Sequence, residues 1–147
     1  MCYDPRLVQP ARILVIEDNA SDIVLLRYAL DQQGEDYELE VLRDGEAALR
    51  FVHEHRTRYR APEPCVILLD LYLPVYDGTA VLRAIREAPP LEHIHVVVWT
   101  ALASSDQEVE ITRMGALLRK KSTFLKDLFE LAAEIIAICK GSSTTAA

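Results

Sequence analysis

Acidic, hydroxyl and basic side chains stand where apolar segments of this chain end. These residues are Glu17, Asp18, Asp70, Thr100 and Lys121. Crowded carboxylates repel one another, and a hard divalent cation such as Mg²⁺ relieves that repulsion. An aspartate beside such an ion can attack a phosphoryl donor and form an acyl phosphate, while a lysine and a hydroxyl stabilise the transferred group. The set therefore indicates phosphoryl-transfer chemistry, provided that the fold brings the five side chains together.

The elements that must position these residues follow from apolar runs and helical periodicity. Continuous, mostly β-branched runs predict strands buried on both faces over 13–16, 66–69 and 96–99. The half-alternating run over 39–42 predicts a strand nearer an edge, and 117–118 is a shorter fifth candidate. Helical spacing predicts five helices: 19–33, 45–55, 78–87, 105–114 and 122–140. This alternation predicts an α/β fold with a doubly wound five-stranded parallel sheet, (βα)5. Ligands bind such sheets outside the carboxyl ends of the strands, where the five residues lie.

Length and charge limit the possible organisation and partners. The 147 residues suffice for one domain, which we expect over 12–140, with an N-terminal extension over 1–11 and a disordered tail over 141–147. The net charge of −7, from 23 acidic against 16 basic residues, argues against nucleic acid as a direct partner, because phosphate binding needs a basic face.

The cysteines and the hydropathy of the sequence indicate the cellular compartment of the protein. The apolar runs are too short for a membrane span, and residues 1–12 lack the apolar core of a signal peptide. The three cysteines, Cys2, Cys65 and Cys139, are odd in number and widely spaced. They predict a reducing, cytoplasmic setting without a disulfide framework.

Four separated motifs resemble the receiver domain of two-component response regulators. They are Glu17-Asp18-Asn19, LDLYLP over 69–74 followed by Asp77-Gly78, Thr100-Ala101, and Lys121. The resemblance covers about 12–140 and implies a flavodoxin-like sheet in the order 2-1-3-4-5.

The family's roles transfer to the matching positions. The resemblance implies that Asp70 is the phosphoacceptor. It also implies that Mg²⁺ is bound directly by Asp18, Asp70 and the backbone carbonyl of Tyr72, and by Glu17 through water. Thr100 would follow the phosphoryl group on activation, and Lys121 would bind it.

A narrower likeness is to the single-domain regulators paired with bacterial phytochromes. It rests on EDNASDIVLLRYAL, RDGEAAL, the loop ending in APEPCVILLDLYLP, and Ser122 after the lysine. The likeness implies a sensor histidine kinase of the bacteriophytochrome type as partner, and output through protein contacts. Such a protein is not an enzyme beyond its own phosphorylation and dephosphorylation. A receiver fragment of a longer regulator and a scaffold receiver that does not use phosphorylation remain alternatives.

Two positions depart from the receiver pattern. Receivers usually carry Tyr or Phe three residues before the lysine, and this chain has Leu118. The span from Gly115 to Lys121 is one residue short, so Lys120 is a rival for the lysine role, although Lys121 followed by Ser122 fits better.

Other folds that use a strand-end aspartate fit the sequence less well. A haloacid-dehalogenase-like phosphatase needs a second acid two residues after the nucleophile, where this chain has Tyr72. Flavodoxin-like cofactor binding needs a Ser/Thr/Gly-rich phosphate loop after the first strand, and the sequence there is Glu17-Asp18-Asn19.

The last predicted helix has a wide apolar arc. Its core face is predicted around Leu125, and a second stripe comprises Phe124, Leu131 and Ile138. Surplus apolar surface of this kind often meets a partner. We therefore predict a homodimer that uses this stripe.

Overall fold

Strands and helices alternate along the whole described chain. The structure is a computed structural model that describes residues 10–57 and 63–141. The strands are β1 (Ala11–Ile16), β2 (Tyr37–Leu42), β3 (Val66–Leu69), β4 (His95–Thr100) and β5 (Leu117–Lys120). The helices are α1 (Ala20–Asp31), α2 (Gly45–Thr57), α3 (Gly78–Glu87), α4 (Ser105–Arg113) and α5 (Leu125–Cys139), with a 3-10 turn over Pro89–Leu91.

The strands form one parallel sheet in the order β2-β1-β3-β4-β5. This order confirms the predicted fold class. The two termini lie outside the described residues, so the N-terminal extension and the disordered tail stay predictions. Among the helices of the described ranges, none combines the length and apolarity that a membrane crossing needs.

The sheet separates two apolar cores, as its alternating side chains require. Leu14 and Ile16 of β1 face the core beneath α2, α3 and α4. Ile13 and Val15 of the same strand face the core beneath α1 and α5. The central strands are therefore buried on both faces, which explains why their sequences are continuous apolar runs.

The last helix begins three residues later than its spacing predicted. The hydroxyl of Ser122 accepts a hydrogen bond from the Phe124 N–H (3.1 Å) and donates one to Asp127 (2.7 Å). Because this turn uses the backbone before Leu125 in a non-helical arrangement, α5 starts at Leu125.

The burial of α5 corrects the predicted dimer stripe. Leu131 is only 6% exposed and belongs to the core beneath α1 and α5, and Ile138 packs against that core. Leu125, predicted at the centre of the core face, is 50% exposed, and Phe124 is 71% exposed. The prediction of a surplus stripe through Leu131 and Ile138 is therefore wrong, because α5 packs against both α1 and the sheet. Homodimerisation itself stays a prediction.

Two cysteines pair across the fold, contrary to the predicted absence of a disulfide. Cys65, just before β3, and Cys139, the last residue of α5, form a disulfide with a Cα–Cα distance of 5.1 Å. Their 74-residue separation hid the pairing. The packing of α5 on the sheet brings the end of the helix to the start of the strand, and sequence spacing does not report that contact.

Candidate functional site

Three site residues continue the backbone ladder beyond the last residue of a strand. The Glu17 N–H donates to the Leu42 carbonyl at 2.9 Å, and the Asp70 N–H donates to the Ile16 carbonyl at 3.0 Å. The Lys121 N–H donates to the Thr100 carbonyl at 2.8 Å. Each backbone is thus held by its neighbouring strand, so the side chains start from fixed positions at the carboxyl edge of the sheet.

Three carboxylates meet at this edge. One oxygen each from Glu17, Asp18 and Asp70 lies within 4.8 Å of the others. Glu17 and Asp70 are buried, whereas Asp18 is exposed. Oε2 of Glu17 accepts the Asn19 N–H at 3.0 Å. Oε1 of Glu17 is buried and accepts no aligned hydrogen bond, but it forms an ion pair with the Lys121 ammonium. A set of hard oxygen donors with such a buried oxygen fits a divalent cation such as Mg²⁺.

Lys121 supplies the positive charge of the site. Its Nζ lies 2.7 Å from Glu17 Oε1 and 3.1 Å from Asp70 Oδ2. The ammonium also lies over the Trp99 ring, 5.2 Å from its centroid. Lys120, the last residue of β5, is exposed. The structure thus brings Lys121 to the carboxylates and leaves Lys120 outside.

Burial and ion pairing oppose each other in this cluster. Burial raises the pKa of Glu17 to about 7, although the Lys121 ammonium and the Asn19 N–H both lower it. Burial alone lowers the pKa of Lys121, but its close contacts with the carboxylates of Asp22, Glu17 and Asp70 outweigh burial, and the net pKa is raised. The Lys121 ammonium therefore favours the ionised form of Glu17 and offsets part of the cost of burying that carboxylate.

The β3–α3 loop wraps the backbone around Asp70. The Tyr72 N–H donates to Asp70 Oδ1 at 3.3 Å, which brings the backbone of Tyr72 beside the carboxylate. Gly78 opens α3 directly against this segment, and its N–H donates to the Leu71 carbonyl at 2.7 Å. A Cβ on Gly78 would collide with the Asp70 carbonyl oxygen. Glycine is therefore required here by close approach of two backbones.

The same loop holds a strained residue. Val75 has φ +77°, a conformation that a β-branched side chain rarely adopts. The Tyr76 N–H donates to the Pro74 carbonyl at 2.9 Å across it, which forms a γ-turn. The Gly45 N–H donates to the same carbonyl at 3.0 Å, so the first residue of α2 braces this turn. Strain of this kind tends to lie at functional sites.

Thr100 is fully buried at the end of β4. Its Oγ1 donates to the Leu102 carbonyl at 3.3 Å, which ties the hydroxyl to the β4–α4 loop. Leu118 is partly buried and packs against the core beneath α2, α3 and α4. The position that usually carries an aromatic switch residue is therefore filled by an aliphatic side chain facing the core.

One contact of the site was not predicted. Asp22, in the first turn of α1, places Oδ2 2.7 Å from the Lys121 Nζ. Asp22 does not follow a strand, so the strand-end pattern did not identify it as a site residue. Its position in the first turn after the Glu17-Asp18-Asn19 motif was the available signal, since that turn opens onto the same edge of the sheet.

Comparisons with known proteins agree with the motifs. Residues 13–126 match the family described as the response regulator receiver domain. Response regulator Rcp1 of Synechocystis sp. is 38% identical over 123 residues, which cover 83% of this chain and 84% of Rcp1.

Two solved structures are similar in both fold and sequence. The phosphorylated cyanobacterial phytochrome response regulator RcpA has a TM-score of 0.77 at 32% identity, covering 88% of this chain and 93% of RcpA. The Mn²⁺-bound form of Rcp1 has a TM-score of 0.75 at 37% identity, covering 87% of this chain and 93% of the other. These findings confirm the resemblance, including the narrower likeness to phytochrome-associated regulators.

Proposed function

The chain belongs to the response regulator receiver family, and from that premise we propose that it is a single-domain response regulator phosphorylated on Asp70 by a histidine kinase. Signal output then occurs through changes in protein–protein contacts. The only reactions that it catalyses are its own phosphorylation and dephosphorylation.

One observation carries the proposal above the others. Asp70 is buried at the end of β3, with the Lys121 Nζ 3.1 Å from Oδ2 and the Tyr72 N–H on Oδ1. A carboxylate held in this way is oriented for attack, and the adjacent ammonium offsets the charge of an incoming phosphoryl group. Glu17 and Asp18 supply the further oxygens that a divalent cation needs.

The reaction transfers one phosphoryl group. A carboxylate oxygen of Asp70 attacks the phosphorus of a phosphohistidine, and an acyl phosphate bond forms as the phosphorus–nitrogen bond breaks. The electron pair of that bond stays on the imidazole nitrogen, which takes up a proton from water. Lys121 turns from the carboxylate to the phosphoryl oxygens, and Thr100 leaves the Leu102 carbonyl to donate to the same group.

We assign Mg²⁺ as the resident cation of the carboxylate group. Asp18, Asp70 and the Tyr72 carbonyl would bind it directly, and Glu17 through water. When bound, the ion neutralises negative charge on the phosphoryl oxygens. Rcp1, the relative described above, has a Mn²⁺-bound form, which supports a divalent cation in this family.

The partner proposed is a sensor histidine kinase of the bacteriophytochrome type. The similarity to RcpA, described as a phytochrome response regulator, supports this choice. A cytoplasmic location follows from the proposed donor, because a histidine kinase takes its phosphoryl group from ATP inside the cell.

Phosphorylation with acetyl phosphate tests the assignment of Asp70. Wild-type protein with Mg²⁺ should gain the mass of one phosphoryl group, and hydroxylamine should remove it, since acyl phosphates react with this nucleophile. Asp70→Asn should gain none. Asp36→Asn is the matched control, because Asp36 is exposed before β2, at the opposite end of the sheet.

Chelation tests the role of the cation separately. EDTA should stop adduct formation, and added Mg²⁺ should restore it. An adduct that still forms on Asp70→Asn at the wild-type rate would refute the phosphoacceptor assignment, whereas an adduct that forms in EDTA would refute the metal assignment alone.

A further inference from the structure

The ammonium of Lys121 contacts a third carboxylate that lies outside the candidate metal site of Glu17, Asp18 and Asp70. Its Nζ lies 2.7 Å from Glu17 Oε1, 3.1 Å from Asp70 Oδ2 and 2.7 Å from Asp22 Oδ2. The ammonium donates hydrogen bonds to Asp22 and Asp70, and its contact with Glu17 is an ion pair. Because the Lys121 side chain is only 15% exposed, water competes little for these contacts.

Asp22 is itself held in place. It lies in the first turn of α1, and its N–H donates to Oδ1 of the N-cap residue Asn19 at 3.0 Å. A negative side chain at this end of a helix is favoured by the helix dipole. The backbone of Asp22 is therefore held at the start of α1, and its carboxylate contacts a lysine 99 residues away in sequence.

We propose that Asp22 is a positioning residue that holds the Lys121 ammonium beside Asp70 while the phosphoryl group is transferred. The inference rests on the proposed function. Transfer changes two of the three partners of Lys121. Asp70 becomes an acyl phosphate, and Glu17 is one of the carboxylates that would hold a divalent cation.

Asp22 is the partner that phosphoryl transfer leaves unchanged. With Asp22 in place, Lys121 keeps one anchor while it moves from the Asp70 carboxylate to the phosphoryl oxygens. Without it, the flexible lysine side chain must be ordered during the reaction, which lowers the rate. We expect the effect on the transfer step, because Asp22 acts through Lys121, whose ammonium meets the phosphoryl oxygens during transfer.

A double-mutant cycle tests this dependence on Lys121. Phosphorylation by acetyl phosphate with saturating Mg²⁺ is measured by mass spectrometry for wild type, Asp22→Ala, Lys121→Ala and the double variant. In the wild-type background, Asp22→Ala should slow the rate at saturating donor by about tenfold, which is the loss of one charge-assisted hydrogen bond. The half-saturating donor concentration should stay unchanged.

The cycle separates positioning from a structural role of α1. In the Lys121→Ala background, Asp22→Ala should change the rate by less than about twofold, since the interaction is already absent. Asp22→Glu should recover most of the wild-type rate. Asp31→Ala, which removes an acid at the other end of α1 that accepts from the Tyr37 hydroxyl, is the control and should leave the rate unchanged.

Each other result overturns the inference. Equal slowing by Asp22→Ala in both backgrounds would assign the effect to the start of α1 rather than to Lys121. An unchanged rate in the single variant would show that Lys121 needs no third anchor. Asp22→Ser repeats the comparison should the alanine variant melt early. Failure of the proposed function is read from the wild type alone, which would then take up no phosphoryl group.

Discussion

Reduction of the Cys65–Cys139 disulfide should destabilise the protein strongly. The bond joins the start of β3 to the end of α5 and closes a 74-residue separation. The chain-entropy relation assigns a loop of that length about 4 kcal/mol of the free energy of unfolding at room temperature. For a domain of this size, a urea m-value of roughly 2 kcal/mol per molar converts this to a midpoint shift of about 2 M.

Urea titration with and without reductant measures the shift. Trp99 is 4% exposed and becomes solvated on unfolding, so its fluorescence follows the transition. Before the titration, the protein is equilibrated with oxidised glutathione, and its thiols are counted in denaturant. One free thiol of the three cysteines is expected before reduction, and all three after it.

Cys139→Ser provides the matched control, because its midpoint should not respond to reductant. Three reactive thiols in the glutathione-equilibrated wild type would refute the pairing. One reactive thiol with a midpoint shift below about 0.5 M would leave the pairing intact. That outcome would refute the loop-entropy reasoning, because the unfolded chain would then not be constrained as the relation assumes.

Further predictions concern the strained loop, the adduct and α5. Val75→Gly should raise the free energy of unfolding by about 1 kcal/mol, measured by urea titration, because relief of φ strain exceeds the added chain entropy; a lower value would contradict the strain. Tyr72→Asn should speed loss of the acyl phosphate, followed by mass spectrometry, because the half-exposed ring shields the approach of water; an unchanged half-life would exclude that shielding. Leu131→Ala should lower the free energy of unfolding, measured by urea titration, by about 2–5 kcal/mol, because Leu131 is buried in the core. The molecular mass measured by light scattering should not change. Phe124→Glu should instead lower the dimer fraction of the phosphorylated protein and leave its stability unchanged; equal masses for both proteins would place the contact elsewhere.

Local patterns in the sequence were sufficient to predict the fold and most of the residues that lie together at the candidate site. The runs over 13–16 and 66–69 predict doubly buried strands, because a strand covered on both faces is apolar at nearly every position. Once these strands are parallel, the residues after them share one edge of the sheet. Asp70, Glu17 and Asp18 therefore needed only element order to be brought together, and the structure places their carboxylates in one group.

Three features depended on contacts between distant segments. Periodicity identified the apolar residues of α5, but it could not show which edge of the wide apolar arc is buried. Leu125 and Leu131 both lie on that arc. The packing of α5 against both α1 and the sheet buries Leu131 and leaves Leu125 half exposed. The same docking brings Cys139 to Cys65, a pairing that an odd number of widely spaced cysteines argued against.

The contact between Lys121 and Asp22 is the third such feature. A helix residue approaches a strand-end lysine only when α1 lies against the carboxyl edge of the sheet at one particular rotation. Hydrophobic burial along the same face of α1, one and two turns after Asp22, sets that rotation through Leu26, Ala29 and Leu30. Sequence spacing specifies which residues of a helix or strand share a face. Which faces meet is decided by the packing of whole elements, because the free energy of burial is the sum over many side chains and not the property of one pair.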